Sequence, residues 1–449
     1  MRIHFISIGG SVMHSMAIAM YQQGHQVSGS DDEIFEPALG KLRRFGLLPP
    51  EKGWFAEKIT KDIDIVVLGM HARADNPELL RAQELKLKIV SFPEFVYQNS
   101  VNKKRIVVAG SHGKTTITSM LMHVFRHCGK KFDYLVGSSV AGFENSFHLS
   151  NEADFIIIEG DEYLSSAINP EPKFLWYKPH LAIISGIAWD HYNVFPEFDQ
   201  YVLQFKKFIG SMPAGGHLAY DENDETLLQI VAEYNHISKY PYTYPDYQLK
   251  NGKFYLTVQD GQMVELKLFG SHNLLNMNGA RIICRLAGIE DKVFFEAIAG
   301  FQGAGKRLEK VYENENILIF RDFAHAPSKV KATISGIKAQ FPAKKILACL
   351  ELHTYSSLNR EFLPQYRGST RIADRCCIFI NEEAVRLKGL KLLQRQEISE
   401  AFGDERLHVF YAKQQLTEFI KENLNGDDIL LLMSSGNFDN LSVEEIISR

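Results

Sequence analysis

The sequence predicts an α/β protein of roughly three domains, each with a largely parallel sheet covered by helices. The chain has 449 residues, about three times the size of a typical domain. Short β-branched runs such as IHFISI, DIVVLGM, DFIIIEG and KILACLE alternate with helical patterns along the chain, which is typical of parallel sheets with helical crossovers. These runs fall into three groups, and each group predicts one domain.

The three groups also set the predicted domain boundaries. The first domain covers residues 1–100, and the lysine-rich VNKKR connects it to a second domain at 101–308. The third domain, 309–449, begins near YENENILIFRDFAHAP, where a charged and polar stretch gives way to a new strand. The first and third groups are Rossmann-like in pattern, and the second opens with a phosphate-loop pattern.

Composition excludes several classes of function. The net charge of -4 gives no general attraction to nucleic acid or to anionic lipid, so any phosphate recognition has to be local. The five cysteines show no metal-type or redox spacing, which predicts reduced thiols. No run of about 18 apolar residues occurs. We therefore expect a cytoplasmic protein that binds neither nucleic acid nor membrane.

A phosphate loop opens the second domain. A strand over Arg105 to Ala109 is followed by glycines, and helical spacing begins at Thr116 with Gly129 as the stop. Backbone N–H groups and the helix dipole converge on an anion at such a turn, where a lysine adds charge and a hydroxyl can bind Mg²⁺. The spacing departs from G-x-x-x-x-G-K-[ST], because Val108 stands where the first glycine would be. The predicted loop residues are Gly110, Ser111, His112, Gly113, Lys114, Thr115 and Thr116.

Two further strand ends supply groups that could hold Mg²⁺. Glu159 follows the strand of DFIIIEGDEY, and Asp190 and His191 follow the strand of LAIISGIAWDHYN. Ligands in open α/β sheets bind beyond the carboxyl ends of strands. Each residue alone also fits an ordinary helix cap or structural histidine, but together with the loop they predict a metal site of Thr115, Glu159 and His191.

The N-terminal strand and helix raise a second phosphate question. SIGGSVM retains Gly9 and Gly10, but Ser7 and Val12 stand where the dinucleotide fingerprint has its first and third glycines. An acidic residue follows in VSGSDD, at about the distance where a ribose is commonly bound. On these residues alone, an ordinary structural turn and a nucleotide site remain equally open.

The order of six motifs resembles the ATP-dependent Mur ligases, which build bacterial cell-wall peptides. The motifs are GSHGKTT (110–116), EGDEY (159–163), DH (190–191), GSHNLLN (270–276), GKRLE (305–309) and DFAHAP (322–327). The resemblance spans nearly the whole chain. It implies a first domain for a UDP-sugar, a central ATPase domain and a C-terminal α/β domain. It also implies an acyl-phosphate intermediate, formed from ATP and the lactyl carboxylate of UDP-N-acetylmuramate, that an acceptor amine attacks.

The resemblance also assigns roles to particular residues. It implies catalytic roles for Lys114, Glu159, His191 and Arg307. It adds Asn273, Asn276, Arg307 and Asp322 to the loop as ATP contacts, and gives His325 and His353 to the sugar or the acceptor. For the UDP-sugar it implies Gly9, Gly10, Ser11, Ser30, Asp31 and His71.

Within the family, departures from the shared pattern bear on the acceptor. The chain resembles most the murein peptide ligases, whose acceptor is the tripeptide L-alanyl-γ-D-glutamyl-meso-diaminopimelate, and SIGGSVM matches their degraded glycine pattern. Thr354 and Ser357 in LELHTYSSLN stand where the L-alanine-adding members have two arginines, which would suit a small carboxylate. Ala326 departs from a histidine that is common in the peptide ligases. The tripeptide is the predicted acceptor, and L-alanine is the alternative.

Two other classes compete with this interpretation. A regulatory protein could use ATP as a switch without ligation, but it would need neither a UDP-sugar domain nor the Glu159 and His191 pair. A folate-type or cyanophycin-type ligase would share the ATPase core, but the N-terminal domain disfavours it. The expected partners are therefore ATP, UDP-N-acetylmuramate and a wall-derived peptide, with Mg²⁺ as cofactor.

Overall fold

The computed structural model describes residues 1–70, 72–138, 140–258, 261–305, 307–424, 426 and 428–448. Two compact units make up the chain. The first unit comprises Met1–Ile187, Asp199–Thr243 and Gly279–Phe294, and the second comprises Ala188–Phe198, Tyr244–Asn278 and Phe295–Arg449. The predicted boundaries near residues 100 and 308 stay predictions.

The N-terminal part of the first unit is a four-stranded parallel sheet in the order β2-β1-β3-β4. Three of its strands are mostly buried, whereas the edge strand β2 is largely exposed or half-buried. The third helix begins at a polar cap, Asn76, which is followed by a proline. The strands are β1 (Arg2–Ile6), β2 (Gln26–Ser30), β3 (Ile65–Leu68) and β4 (Ile89–Ser91), and the helices are α1 (Met13–Gln22), α2 (Ala38–Arg44), α3 (Pro77–Glu84) and α4 (Phe92–Gln98).

The rest of the first unit is built on a seven-stranded sheet in the order β11-β10-β9-β5-β8-β6-β7, parallel except for β7. Its central strands β9, β5 and β8 are nearly continuous apolar runs, as expected when helices cover both faces. The strands are β5 (Lys104–Ala109), β6 (Phe132–Leu135), β7 (Phe147–His148), β8 (Phe155–Glu159), β9 (Leu181–Ile184), β10 (His217–Asp221) and β11 (Ser238–Tyr242). The helices are α5 (Lys114–His127), α6 (Phe198–Gly210) and α7 (Glu225–Ala232).

The second unit contains an antiparallel sheet and a mixed sheet. The antiparallel sheet is β12 (Tyr247–Lys250), β13 (Lys253–Thr257) and β14 (Met263–Leu266), followed by α8 (His272–Leu286) and α9 (Asp291–Ile298). The later residues of α8 and the earlier residues of α9 belong to the first unit. The mixed sheet has the order β15-β16-β20-β17-β18-β19, with only β15 antiparallel. Its elements are β15 (Glu309–Glu313), β16 (Ile317–Asp322), α10 (Pro327–Gln340), β17 (Lys345–Glu351), β18 (Arg375–Phe379), α11 (Glu382–Leu387), α12 (Arg395–Phe402), β19 (His408–Phe410), α13 (Lys413–Asn423), β20 (Asp428–Met433) and α14 (Val443–Ile447).

The predicted strands are present, and the α/β class is confirmed. The helix after the phosphate loop begins at Lys114, two residues before the predicted start, and its chain turns at Gly129 with a φ of 66°. All five cysteines are free thiols; four are buried, and Cys128 is half-buried at the end of α5. Among the described residues, none of the helices combines the length and apolar character needed to cross a bilayer.

Candidate functional site

The phosphate-loop pattern folds as a tight turn between β5 and α5. Gly110 and Gly113 have φ values of 117° and 67°, which side chains rarely adopt. A Cβ at Gly110 would lie 2.5 Å from Ser185 Oγ, so the loop is pressed against the end of β9. The backbone N–H of Ser111 donates to the carbonyl of Gly186 at 2.9 Å. Gly113 caps α5, and the N-terminus of a 14-residue helix therefore faces the loop.

Lys114 is held by one partner in the loop and by one that follows β8. Its ammonium donates to the Gly110 carbonyl at 2.9 Å and to Glu162 Oε2 at 2.6 Å. Burial alone would lower the pKa of Lys114, but the negative charges of Glu162, Asp161 and Glu159 raise it above its ordinary value. The lysine is therefore a fixed cation beside the helix N-terminus.

A buried tyrosine connects the same carboxylate to the start of the loop. Glu162 is fully buried, and its second oxygen, Oε1, accepts from Tyr201 Oη at 2.9 Å. The Tyr201 hydroxyl also bonds to Ser111 Oγ at 2.8 Å. Both Ser111 and Lys114 are thus tied to Glu162, one through Tyr201 and one directly.

Thr115 and Glu159 form an oxygen-rich pair next to the lysine. Thr115 Oγ1 donates to Glu159 Oε1 at 2.9 Å, and the Gly137 N–H donates to Glu159 Oε2 at 3.1 Å. A Cβ at Gly137 would lie 3.3 Å from the same carboxylate, so glycine lets the backbone approach closely. Hydroxyl and carboxylate oxygens are the ligands that Mg²⁺ prefers, and these residues fit that ion.

The DH pair lies in the second unit. The Asp190 carboxylate accepts from the His191 N–H at 2.8 Å and from Lys329 Nζ at 2.8 Å. Burial would raise the pKa of Asp190, but Lys329, His191 and His325 hold it well below its ordinary value. His191 adopts a φ of 56°, which is uncommon for a residue with a Cβ.

The remaining predicted ATP residues also belong to the second unit. The Arg307 guanidinium stacks on the Phe323 ring, 4.6 Å from its centroid. Asp322 accepts from the Leu308 N–H at 3.1 Å and from Thr333 Oγ1 at 2.5 Å. At the start of α8, Asn276 Nδ2 donates to Asn273 Oδ1 at 3.0 Å, and Asn273 donates to the Phe269 carbonyl at 2.8 Å.

The two histidines predicted near the sugar or acceptor have different surroundings. Burial lowers the pKa of His325 to about 3, and the charge of Lys329 acts in the same direction. The His353 ring lies 3.8 Å from Glu351 Oε1, and burial lowers its pKa. Glu351 is itself buried and accepts from Ser434 Oγ and from the Phe438 N–H.

Thr354 and Ser357, at the positions that decided the predicted acceptor, bond to each other. The Ser357 N–H donates to Thr354 Oγ1 at 3.0 Å, and the two hydroxyls are also 3.0 Å apart. Ser357 is buried. The pair therefore caps the turn after His353 and offers no positive charge to a carboxylate.

In the first glycine loop, one backbone N–H group is already bonded to a side chain of the protein. The Gly9 N–H donates to Asp31 Oδ2 at 2.7 Å, and burial raises the pKa of Asp31 to about 6. Ser30 is fully buried and accepts from Lys58 Nζ at 3.2 Å, while Ser11 is exposed. Gly10 donates its N–H to the Ser7 carbonyl at 3.2 Å. His71 lies outside the described residues.

The structure thus gathers the loop, Thr115 and Glu159 in the first unit. His191, Arg307, Asn273, Asn276, Asp322, His325 and His353 belong to the second unit. Sequence reasoning missed Glu162, Tyr201 and Lys329. Glu162 stands in the quoted EGDEY motif and could have been weighed there, but no local pattern marks Tyr201, which lies 90 residues from Ser111.

Three family descriptions match the chain in order. Residues 2–103 match the Mur ligase family catalytic domain, residues 108–284 the Mur ligase middle domain, and residues 306–436 the Mur ligase glutamate ligase domain. The predicted three-domain fold class is confirmed by these matches and by the crystal structure described below.

Similar proteins include two kinds of ligase. The UDP-N-acetylmuramate–L-alanine ligase of Clostridium botulinum (strain Langeland) is 29% identical, over 97% of this chain and 95% of its own. The UDP-N-acetylmuramate–L-alanyl-γ-D-glutamyl-meso-2,6-diaminoheptandioate ligase of Escherichia coli K12 is 29% identical, over 78% and 79%. The crystal structure of a murein peptide ligase from Psychrobacter arcticus has a TM-score of 0.70 at 23% identity, covering 100% of this chain and 98% of that one.

Proposed function

Because the chain belongs to the Mur ligase family, and is therefore an ATP-dependent ligase that forms amide bonds, we propose that its substrate is UDP-N-acetylmuramate. The lactyl carboxylate of this sugar would be joined to the amine of an acceptor at the expense of ATP. The observation that carries the proposal is the phosphate loop with its fixed cation Lys114 and the oxygen pair Thr115 and Glu159 beside it.

The loop supplies what phosphoryl transfer requires. Charge spreads over the transferred phosphoryl oxygens, so positioned cations and N–H donors stabilise the transition state. Lys114 and the α5 N-terminus would bind the phosphates. Thr115 and Glu159, with His191 at a second position, would hold Mg²⁺, which when bound supplies further positive charge at the phosphate oxygens. The product of this step would be an acyl phosphate that the acceptor amine attacks.

For the other predicted residues, we propose the roles that the family resemblance implies. Arg307 would reach the ATP phosphates, Asn273 and Asn276 the adenine, and Asp322 the ribose. His325 and His353 would face the sugar or the acceptor. Residues 1–100 would hold the UDP-sugar through Gly9, Gly10, Ser11, Ser30, Asp31 and His71. Residues 101–308 and 309–449 would form the ATPase domain and the C-terminal domain.

L-Alanine is the acceptor that the relatives support best. The L-alanine ligase of C. botulinum aligns with 97% of this chain, whereas the tripeptide ligase of E. coli aligns with 78% of it at the same identity. Other relatives with the L-alanine name also cover nearly the whole chain. This evidence favours the alternative acceptor over the tripeptide that the sequence predicts.

One observation favours the tripeptide as a second candidate. Thr354 and Ser357 satisfy each other, and Ser357 is buried. A free amino acid needs a partner for its carboxylate close to the reacting amine, and Thr354 and Ser357 offer only hydroxyls that are already bonded. A longer peptide carries its carboxylates farther from the amine and has less need of a cation there.

Phosphate release from ATP tests the proposal. The purified full chain would be assayed with Mg²⁺, UDP-N-acetylmuramate, and either L-alanine or the tripeptide. UDP-N-acetylglucosamine, which lacks the lactyl carboxylate, is the control sugar. Turnover that requires UDP-N-acetylmuramate and one acceptor supports ligation and identifies the acceptor. ATP binding without acceptor-dependent release would sink the proposal and favour a regulatory nucleotide-binding protein.

A further inference from the structure

We propose that Glu162 is the positioning residue of the phosphate loop, and that Tyr201 is the link through which it also fixes Ser111. The inference rests on the proposed ATP site, because it assumes that Lys114 binds the phosphates. It adds two residues that contact the loop but that the motif pattern did not assign.

The first step is that the two carboxylate oxygens of Glu162 accept from different donors. Oε2 accepts from Lys114 at 2.6 Å, and Oε1 accepts from Tyr201 at 2.9 Å. A carboxylate with no solvent exposure needs such partners, because an unpaired buried charge is strongly unfavourable. Each oxygen therefore has a fixed donor, and the carboxylate cannot rotate without losing both.

The second step concerns the orientation of the Lys114 ammonium. An ammonium has three N–H donors. One points to the Gly110 carbonyl and a second to Glu162. Two fixed bonds set the direction of the third N–H, so the lysine is oriented before a nucleotide arrives. Orientation of this kind lowers the barrier of a reaction more than it strengthens ground-state binding.

The third step is the anchoring of Tyr201. This residue lies on α6, is fully buried, and packs edge to face against Phe205, with ring centroids 5.3 Å apart. Its hydroxyl reaches Ser111 Oγ at 2.8 Å. Ser111 and Lys114, on either side of Gly113, are therefore connected through the Tyr201 hydroxyl and the Glu162 carboxylate.

Enzyme kinetics with Glu162→Gln, Tyr201→Phe and the double variant test the inference. For Glu162→Gln we expect kcat to fall about 10- to 100-fold, while the Kd of ADP, measured by calorimetry, changes less than about threefold, because orientation is lost but the cation remains. For Tyr201→Phe we expect a fall in kcat of about threefold to tenfold. The double variant should be no slower than Glu162→Gln, since Tyr201 acts through Glu162.

Matched controls come from the same unit. Tyr234→Phe removes a hydroxyl that donates to the Lys206 carbonyl, and Glu233→Gln removes an exposed partner of Lys206. Both should leave kcat unchanged. Glu162→Asp should recover part of the rate lost in Glu162→Gln.

Several outcomes would overturn the inference. Parallel losses in kcat and ADP affinity with a lowered melting temperature would show that Glu162 only stabilises the fold. Multiplied effects in the double variant would show that Tyr201 acts independently. If Glu162→Gln does not fold, Tyr201→Phe alone decides, and wild-type kcat in that variant rejects the link. Wild-type protein that is inactive with every acceptor would instead count against the proposed function.

Discussion

Two glycine-containing loops of this protein connect a strand to a helix in the same way, but the side chains around them differ. Each follows a parallel strand, carries two glycines and opens a helix: residues 7–12 lie between β1 and α1, and residues 110–113 lie between β5 and α5. In the first loop, the Gly9 N–H is occupied by the chain's own Asp31 carboxylate. In the second, a cation is held at the helix start, and a hydroxyl and a carboxylate lie next to it.

The difference shows that strand, glycine and helix do not by themselves define an anion site. The first loop has no lysine or arginine in its sequence SIGGSV. The second places Lys114 between a carbonyl and the buried Glu162. We therefore expect the use of ATP to depend steeply on the second loop and only weakly on the first, and four experiments test that contrast.

Removing the cation of the second loop should have the largest effect. Lys114→Ala deletes the charge that stabilises the transferred phosphoryl group and leaves Glu162 buried without its ion-pair partner, so kcat/KM for ATP should fall about 10³-fold. Phosphate release at saturating UDP-N-acetylmuramate measures the change. Ser11→Ala removes a proposed UDP-sugar contact from the first loop, and because the sugar is saturating, its kcat/KM for ATP should stay within about threefold of wild type. Comparable losses in the two variants would break the contrast.

Replacing one glycine of each loop by alanine should destabilise the protein to different extents. Gly110→Ala forces a side chain onto a φ of 117° and against Ser185, so unfolding in urea should show a loss of about 3 kcal/mol. Gly9 has no positive φ, but its Cβ would lie 2.9 Å from the side chains of Asp31 and Ile34, so a smaller loss of about 1 to 2 kcal/mol is expected. Equal losses would mean that the first loop is as constrained as the second.

The oxygen pair beside the second loop should set the requirement for Mg²⁺. Thr115→Val removes the hydroxyl bonded to Glu159, and the Mg²⁺ concentration for half-maximal rate should rise about tenfold, as for loss of one ligand or its support. Thr118→Val, in the same helix and also buried, is the control and should not change the Mg²⁺ dependence. An unchanged requirement in Thr115→Val would remove this residue from the metal site.

The smallest expected effect is a change in the pH dependence of stability, caused by Asp31 beside the first loop. The pKa of Asp31 is raised to about 6 in the folded chain, against about 3.9 when unfolded. The folded state therefore binds the proton more tightly, and the stability from this residue is present below about pH 4 and lost as pH rises through about 6. Asp31→Asn keeps an acceptor for the Gly9 N–H without the charge.

Melting curves measure this pH effect. The free energy of unfolding of Asp31→Asn minus that of wild type should be larger at pH 8 than at pH 4.5. The expected increase is about 1 kcal/mol or less. Asp64→Asn, at an exposed carboxylate that accepts from the Arg2 N–H at the other end of β1, is the control. A stability difference that is the same at both pH values would show that Asp31 is ionised throughout.

The sequence predicted most of the framework, because local patterns encode it. The apolar runs became strands, and the glycines at 110 and 113 marked the turn, since few residues tolerate their φ values. The Thr115 and Glu159 contact followed from parallel strands ending at one edge. These parts of the candidate site depend on residue type and spacing along the chain.

Other contacts of the site could not be predicted, because they join residues that are distant in sequence and have ordinary neighbours. Tyr201 reads as one aromatic residue on the apolar face of α6, and nothing nearby shows that its hydroxyl meets Glu162. Lys329 reads as a surface charge early in α10, yet it pairs with the buried Asp190. Likewise, the sequence predicts Asp31 as a UDP-sugar contact, but its bond to the Gly9 N–H depends on the packing of β2 beside β1.

The position of Cys128 gives the protein a built-in attachment point for a fluorophore. It follows the last residue of α5, whose first residue is Lys114, and a helix of 14 residues spans about 21 Å. The other four thiols are buried, so a maleimide dye should react at this one position. Burial raises the pKa of the Cys128 thiol, and labelling therefore favours mildly alkaline buffer. A dye at Cys128 would therefore label the end of α5 that lies farthest from Lys114 and would leave the phosphate loop unmodified.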